Sequence, residues 1–119
     1  MYAIKKCDKV EIDQGALYLG ESTEKRSVGY LELKPHSSLT LHHREAIENL
    51  VQVKNSCVMV VFDKSLGTTH RLDEGDRWRI EPKGTWHIHV NPFSKTSLTY
   101  WHFEGDVREV IEAIRRGGD

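Results

Sequence analysis

Short apolar or alternating runs, each ended by turn-forming residues, dominate the chain. Tyr30 and Glu32 alternate with Leu31 and Leu33, as expected for a strand with one buried face. Similar β-type runs occupy residues 16–19, 49–54, 57–62, 68–72, 77–80, 86–90 and 98–103. Strands at such regular spacing predict an antiparallel sandwich or barrel rather than alternating βαβ units.

Turn-forming residues separate these runs. Asn55-Ser56 lies between two β-rich segments and, because Asn tolerates positive φ, predicts a tight hairpin. A second turn is predicted at Asp73-Glu74-Gly75-Asp76, before the run that begins at Arg77.

One helix is predicted, and it follows the last strand. Val107, Val110, Ile111 and Ile114 keep helical spacing, Asp106 is a suitable N-cap, and Gly117-Gly118 ends the segment. Its apolar stripe is expected to pack outside the barrel or to close one end. We therefore predict a single domain over residues 1–119, with a barrel at about 16–104 and a helix at about 106–116.

Charge and hydropathy exclude two classes of partner. The 119 residues carry 17 basic and 18 acidic side chains, with no basic patch of the kind that binds nucleic acid. No apolar run approaches the roughly 20 residues that span a bilayer. The segment Met1–Lys6 lacks the apolar core of a signal peptide, so a cytoplasmic protein without nucleic-acid or membrane partners is expected.

Histidine and cysteine usage differ in what they indicate. Cys7 and Cys57 stand fifty positions apart without CxxC spacing, and Cys57 is predicted to be a small buried residue within an apolar run. Five of the seven histidines fall in two stretches, at His36, His42, His43, His87 and His89. His36 and His70 are expected at the surface.

The strongest local pattern runs from Gly75 to Asn91. Pro82 and Gly84 predict a tight bend, since Pro fixes φ and Gly permits positive φ. The following strand carries His87 and His89 on one face. Two histidines in this arrangement are either metal ligands or a structural pair at a barrel rim.

This segment resembles the second motif of the cupin superfamily. Pro82-x-Gly84-x-x-His87-x-x-x-Asn91 matches every fixed position, although six residues rather than five separate Gly75 from Pro82. The resemblance implies an all-β, cupin-type double-stranded β-helix (a jelly-roll barrel) with the short C-terminal helix added. It also implies that the histidine at His87 is a metal ligand.

The first cupin motif is matched in part. Glu48 fits its glutamate, and Asn55 stands where the motif has glycine, as a positive-φ turn allows. The histidine pair falls on Leu41 and His43, on His42 and Arg44, or, with the spacing of the mannose-6-phosphate isomerase-like branch, on His43 and Glu45. Arg44 stays protonated and cannot ligate a metal, which favours His43 facing inward. A local bulge would turn His42 inward as well.

Together the motifs imply a metal site of His43, Glu48 and His87, with His42 as a further candidate. Two imidazoles and a carboxylate suit a divalent transition metal such as Fe, Mn, Ni, Zn or Cu. In the alternative, Glu48 and the histidines hydrogen-bond one another in a polar barrel without metal. Candidate catalytic side chains are Glu45, His89 and His102, the last on a late strand that could face the cavity.

The function implied is that of a metal-binding cupin that binds or converts a small polar molecule, a sugar derivative or a carboxylic acid. As an enzyme it would be a metal-dependent isomerase, lyase or dioxygenase. The alternative is a non-catalytic small-ligand-binding or sensor domain with a degenerate metal site. A homodimer is also expected, because paired edge strands hide their unpaired backbone groups, with Tyr2-Ala3-Ile4 and Ala16–Leu19 apolar enough to reach a partner.

Overall fold

The computed structural model describes residues 1–39, 46–63, 66–81 and 85–117. It consists of two antiparallel sheets and a short C-terminal helix, which confirms the predicted fold class. A one-turn 3₁₀ helix (Ile4–Lys6) precedes the strands. The strands are β1 (Asp8–Ile12), β2 (Gly15–Ser22), β3 (Arg26–Leu33), β4 (Ser37–Ser38), β5 (Ile47–Lys54), β6 (Cys57–Asp63), β7 (Leu66–Leu72), β8 (Arg77–Ile80), β9 (Thr85–Asn91) and β10 (Ser97–Glu104), followed by helix α1 (Arg108–Arg115).

Each of the eight predicted runs is a strand, whereas β1, β4 and the 3₁₀ helix were not predicted. β4 has two residues and carries no pattern. β1 is mostly polar, and its apolar Val10 and Ile12 are only partly buried at the edge of a sheet.

The two sheets face each other across the barrel interior. The six-stranded sheet has the order β1-β2-β3-β10-β5-β8, and the four-stranded sheet has the order β4-β9-β6-β7. Alternation along β10 directs Trp101 and Phe103 into the core, where they lie opposite Leu50 and Glu48 of β5. The interior is mainly apolar, with a few fully buried polar side chains among its aliphatic ones.

The predicted hairpin at Asn55-Ser56 is wrong, although the predicted turn is present. β5 pairs with β10 and β8, whereas β6 pairs with β7 and β9, so this turn carries the chain from one sheet to the other. Asn55 has the expected positive φ of 57°. Its Nδ2 donates to the Thr96 carbonyl at 2.7 Å, which ties the crossing to the loop before β10.

Helix α1 closes one end of the barrel. Val107, Ile111 and Ile114 belong to the same buried cluster as Phe103, where β10 ends. The helix begins at Arg108, two residues after the predicted N-cap. Asp106 nevertheless accepts from the Arg108 backbone N–H at 3.2 Å, because its side chain still reaches the first turn.

The outer face of the six-stranded sheet carries a second apolar cluster, around Val28, Tyr30 and Tyr100. The N-terminal segment, expected to reach a partner, packs on this cluster instead: Tyr30 Oη donates to the Tyr2 carbonyl at 2.5 Å. Ala16–Leu19, the other segment expected to cross, lies in β2, where β1 and β3 pair with both of its edges. The homodimer remains a prediction, but residues 16–19 cannot pair with a partner through their strand edges.

No helix in the described part of the chain is long and apolar enough to cross a membrane.

Candidate metal and ligand site

Glu48 and His87 meet inside the barrel. His87 Nε2 lies 3.0 Å from Glu48 Oε2, and the side chains are 2% and 7% exposed. Glu48 comes from β5 in one sheet and His87 from β9 in the other, so the contact crosses the interior. The glutamate of the first motif and the histidine of the second are therefore in contact.

The neighbours of this pair on the paired strands are apolar. Glu48 has Phe103 and Ile80 as its neighbours on the adjacent strands, and His87 lies opposite Val61. Removing a carboxylate from water is unfavourable unless it is paired and hydrogen-bonded, so the imidazole contact is required where Glu48 is ionised. At 3.0 Å the imidazole N–H can donate to the carboxylate oxygen.

The Glu48–His87 separation also fits two ligands of one metal ion. Nitrogen and oxygen ligands about 2.1 Å from a metal, at tetrahedral or octahedral angles, stand about 3.0–3.4 Å from each other. A cation between them would take the place of the shared proton. Within residues 1–39, 46–63, 66–81 and 85–117, no three His, Cys, Asp or Glu side chains cluster as a complete site. His42, His43 and Glu45, which would supply further ligands, lie outside the described residues, as do Pro82 and Gly84.

A second histidine contact crosses the interior two residues further along β9. His89 Nε2 lies 3.3 Å from Thr99 Oγ1, and Thr99 Oγ1 lies 2.6 Å from Gln52 Oε1. All three side chains are buried. His89, a candidate catalytic residue, thus faces the same interior as His87 but has its own partners.

The donor and the acceptor can be assigned for each hydrogen bond that links Gln52, Thr99 and His89. Gln52 Nε2 donates to the carbonyls of Lys54 and Asn55, both at 3.1 Å, which leaves Gln52 Oε1 as an acceptor. Thr99 therefore gives its one proton to Gln52, and its oxygen accepts from His89 Nε2–H. In its neutral form His89 therefore carries its proton on Nε2.

Cys57 and Asn91 complete the buried polar set. Cys57 is fully buried, as predicted, and its thiol donates to Gln52 Oε1 at 3.2 Å. Burial raises the pKa of the Cys57 thiol to about 11. Asn91, the last fixed position of the second motif, donates to the carbonyls of Leu33 and Lys95 at 3.0 and 2.9 Å. It thus holds the end of β9 to the neighbouring sheet, a structural task.

His102 lies away from these groups. Trp101 and Phe103 face the core, so His102 points to the outer face of the sheet, where its Nδ1 lies 3.3 Å from Asn49 Nδ2. There it lines an open hollow of about 780 Å³ with Met1, Tyr2, Arg26, Asn49, Val51, Arg77, Tyr100 and Glu104. The structure does not bring His102 together with Glu48 and His87.

The remaining histidines and the arginines of β8 lie at the surface. His36 is exposed, as expected, and its φ of 56° is a left-handed backbone conformation that is uncommon for residues other than glycine. His70 stacks on Trp78 with ring centroids 4.7 Å apart. Arg77 and Arg79 are exposed, and Arg79 pairs with Glu81 and Glu104.

Gln52, Thr99 and Trp101 are interior residues for which no motif in the sequence predicts a role in the site. Gln52 and Thr99 each sit in a β-run with apolar side chains on both faces, so alternation alone does not identify them as inward-facing. Their pairing with His89 depends on how the two sheets are stacked, which no spacing in the sequence reveals.

Comparisons with known proteins agree on the fold. No family model matches the chain, and no curated protein matches it. Several solved structures, by contrast, are similar to it. The barrel is similar to vicilin from Solanum lycopersicum (TM-score 0.73, 20% identity, 89% of this chain and 32% of that chain). It is also similar to Lactobacillus farciminis oxalate decarboxylase in a formate complex (TM-score 0.75, 20% identity, 87% and 32%).

A third similar structure has a chain of comparable length. It is Drosophila melanogaster CENP-C bound to CAL1 (TM-score 0.74, 16% identity, 85% of this chain and 82% of that chain). By contrast, this chain spans about a third of the vicilin and oxalate decarboxylase chains. All three are cupin-superfamily proteins, and with the two sheets and the motif residues they establish that this chain folds as a cupin barrel.

Proposed function

We propose that the barrel interior binds a divalent transition metal through Glu48 and His87 and, beside it, a small polar molecule. The observation that carries the proposal is the Glu48–His87 contact, two metal-ligating side chains 3.0 Å apart in a buried setting. His43, and His42 with a bulge, are the proposed sources of further ligands. When bound, the metal would supply a Lewis acid and an orienting charge for the ligand.

Other residues of the barrel would determine the environment of the metal and the ligand. The apolar neighbours Phe103 and Ile80 exclude water around Glu48, which strengthens any charge interaction there. His89 contributes a second imidazole whose tautomer is set by Thr99.

Metal analysis of protein purified without a metal-affinity tag tests the proposal. We expect a transition metal in the purified protein and stoichiometric uptake of Zn²⁺ by metal-stripped protein. Glu48→Gln, His87→Ala and His43→Ala should each weaken Zn²⁺ binding more than about 100-fold and leave the barrel folded, while His42→Ala should have a smaller effect.

His102→Ala is the matched control. It removes a histidine from the outer face of the six-stranded sheet, the sheet that carries Glu48 on its inner face, and should leave Zn²⁺ affinity unchanged. Protein that is isolated without metal, and that takes up none of Fe, Mn, Ni, Zn or Cu, would overturn the metal proposal. Loss of metal in His42→Ala but not in His43→Ala would show that His42, rather than His43, supplies the ligand.

The second candidate is a non-catalytic binding domain in which Glu48 and His87 form a structural contact. It is favoured by the similarity in length to the CENP-C chain, which was solved bound to CAL1. In this case metal-free protein would keep full thermal stability and added metal would not raise its Tm.

A further inference from the structure

Trp101 lies in the barrel interior between the two histidine contacts. In β10 it stands between Phe103, which is opposite Glu48, and Thr99, which contacts His89. These three β10 residues share the inward face, because alternate residues of a strand point to the same side. The indole is therefore flanked along the strand by the layers that hold the two histidines.

The indole N–H of Trp101 is buried and has no acceptor in the described part of the chain. The residue is 6% exposed, and its Nε1 makes no hydrogen bond. Burying a donor without an acceptor is unfavourable, and native proteins rarely do so. A buried donor on a strand position between the two histidine contacts requires an explanation, and an acceptor bound beside the indole supplies one.

The ring is also held in place. Gly29 of β3 is opposite Trp101, and a side chain at this position would overlap the six-membered ring of the indole. On the same face, the ring of Phe103 packs against Trp101 with centroids 5.2 Å apart. Because the ring cannot swing away without losing both contacts, its N–H is presented in a fixed direction.

We propose that Trp101 Nε1–H donates a hydrogen bond to an oxygen atom of the small molecule bound in the barrel, and that this molecule is a carboxylate. The inference rests on the proposed function and narrows its ligand class. An indole N–H only donates, so it requires an acceptor. A divalent cation held by Glu48 and neutral histidines keeps one net positive charge, which favours an anionic ligand over a neutral one.

Acetate and ethanol, which have similar size but different charge, are suitable probes. Zn²⁺-loaded protein labelled with ¹⁵N is titrated with each, and the indole N–H resonances are followed. Acetate should shift the Trp101 resonance downfield, and ethanol should not. Trp101→Phe keeps an aromatic ring without the N–H and should weaken acetate binding about tenfold or more.

Trp78→Phe is the matched control. Trp78 also lies next to Leu50, on the side away from β10, but its indole is only partly buried and stacks on His70. This variant should bind acetate as the wild type does. Circular dichroism checks that both variants fold, and the wild-type resonance shift tests the inference without any variant.

The outcomes separate this inference from the proposed function. If Zn²⁺ binds but acetate leaves the Trp101 resonance unmoved, or fails to bind, the inference is overturned and the metal proposal stands. Equal acetate affinity in wild type and Trp101→Phe also overturns it. If no metal binds but acetate still shifts the Trp101 resonance, the metal proposal fails and the inference stands.

Discussion

At the scale of single residues, the buried amide of Gln52 determines which nitrogen of His89 carries the proton. The backbone carbonyls of Lys54 and Asn55 orient the amide, the amide orients the Thr99 hydroxyl, and the hydroxyl accepts from His89. Each link has one allowed direction, so the arrangement does not depend on a bound ligand.

The variant Thr99→Val tests this series of hydrogen bonds. It removes the hydroxyl while keeping the volume, so a buried imidazole N–H and a buried amide oxygen each lose a partner. We expect a loss of about 1–3 kcal/mol in the free energy of unfolding, measured in urea. Long-range ¹H–¹⁵N spectra should also show that His89 no longer prefers the Nε2–H tautomer. Thr99→Ser keeps the hydroxyl and should retain that preference; an unchanged tautomer in Thr99→Val would contradict the assignment.

The buried thiol of Cys57 predicts a loss of stability in alkali. Its pKa is about 11 in the folded protein, compared with an ordinary value of 9.0. Between these values the unfolded chain releases the thiol proton and the folded chain retains it, so stability is complete below pH 9 and falls as pH rises toward 11. The expected loss in the free energy of unfolding, once the pH exceeds both pKa values, is about 2–3 kcal/mol.

Urea titrations at pH 8 and pH 10.5 measure this effect, with Cys57→Ala as the comparison. The variant is expected to be less stable at pH 8 because it leaves a small cavity, but its further decline between the two pH values should be smaller. An identical decline in both proteins would mean that Cys57 does not account for it.

The candidate site could be predicted from sequence only where the spacing of a motif specifies its residues. Glu48 and His87 were both identified because each occupies a fixed motif position, and they lie in contact. His102 was ambiguous because Tyr100, Trp101 and Phe103 surround it, so both faces of β10 are apolar and alternation does not identify the inner one. The partners of His89 come from another sheet and leave no local signal.

At the scale of elements, the turn at Asn55 joins the two sheets. Its positive φ was predictable because few residues other than Asn and Gly accept it, whereas the strand pairing was not. A two-residue link between β-runs indicates a hairpin in most contexts, but here each run pairs with strands distant in sequence. The pairing depends on the complete sheet, which explains why the hairpin prediction failed.

Asn55→Ala and Asn55→Gly separate the two tasks of this residue. Both lose the side-chain hydrogen bond to the Thr96 carbonyl, but only alanine is strained at a φ of 57°. Alanine is therefore expected to destabilise the barrel by about 1–2 kcal/mol more than glycine, as measured by thermal or urea unfolding. Equal stabilities of the two variants would show that the backbone conformation is not the determining factor.

At the scale of the whole molecule, the strands at the edges of the sheets remain open to association. β1 and β8 border the larger sheet, and β4 and β7 border the smaller one. Exposed Leu66 lies in β7, whose backbone pairs with β6 on one side only within the described residues. An edge of this kind supports the predicted homodimer.

Light scattering coupled to size exclusion tests the homodimer. We expect twice the chain mass at micromolar concentration, and a Pro substitution at an outward-facing backbone N–H of β7 should lower that mass by blocking strand pairing. The same substitution in β2, which is paired on both sides, would unfold the barrel instead. A monomer mass for the wild type would refute the prediction.

The central position of β10 has a consequence for how the protein is made. Ser97–Glu104 lies between β3 and β5 and is the only strand that joins the two halves of the larger sheet within the described residues. During synthesis, β3 and β5 therefore leave the ribosome before β10, with their facing edges unpaired. The larger sheet cannot be completed until β10 has emerged, and until then the nascent chain exposes these edges to chaperones or to other chains.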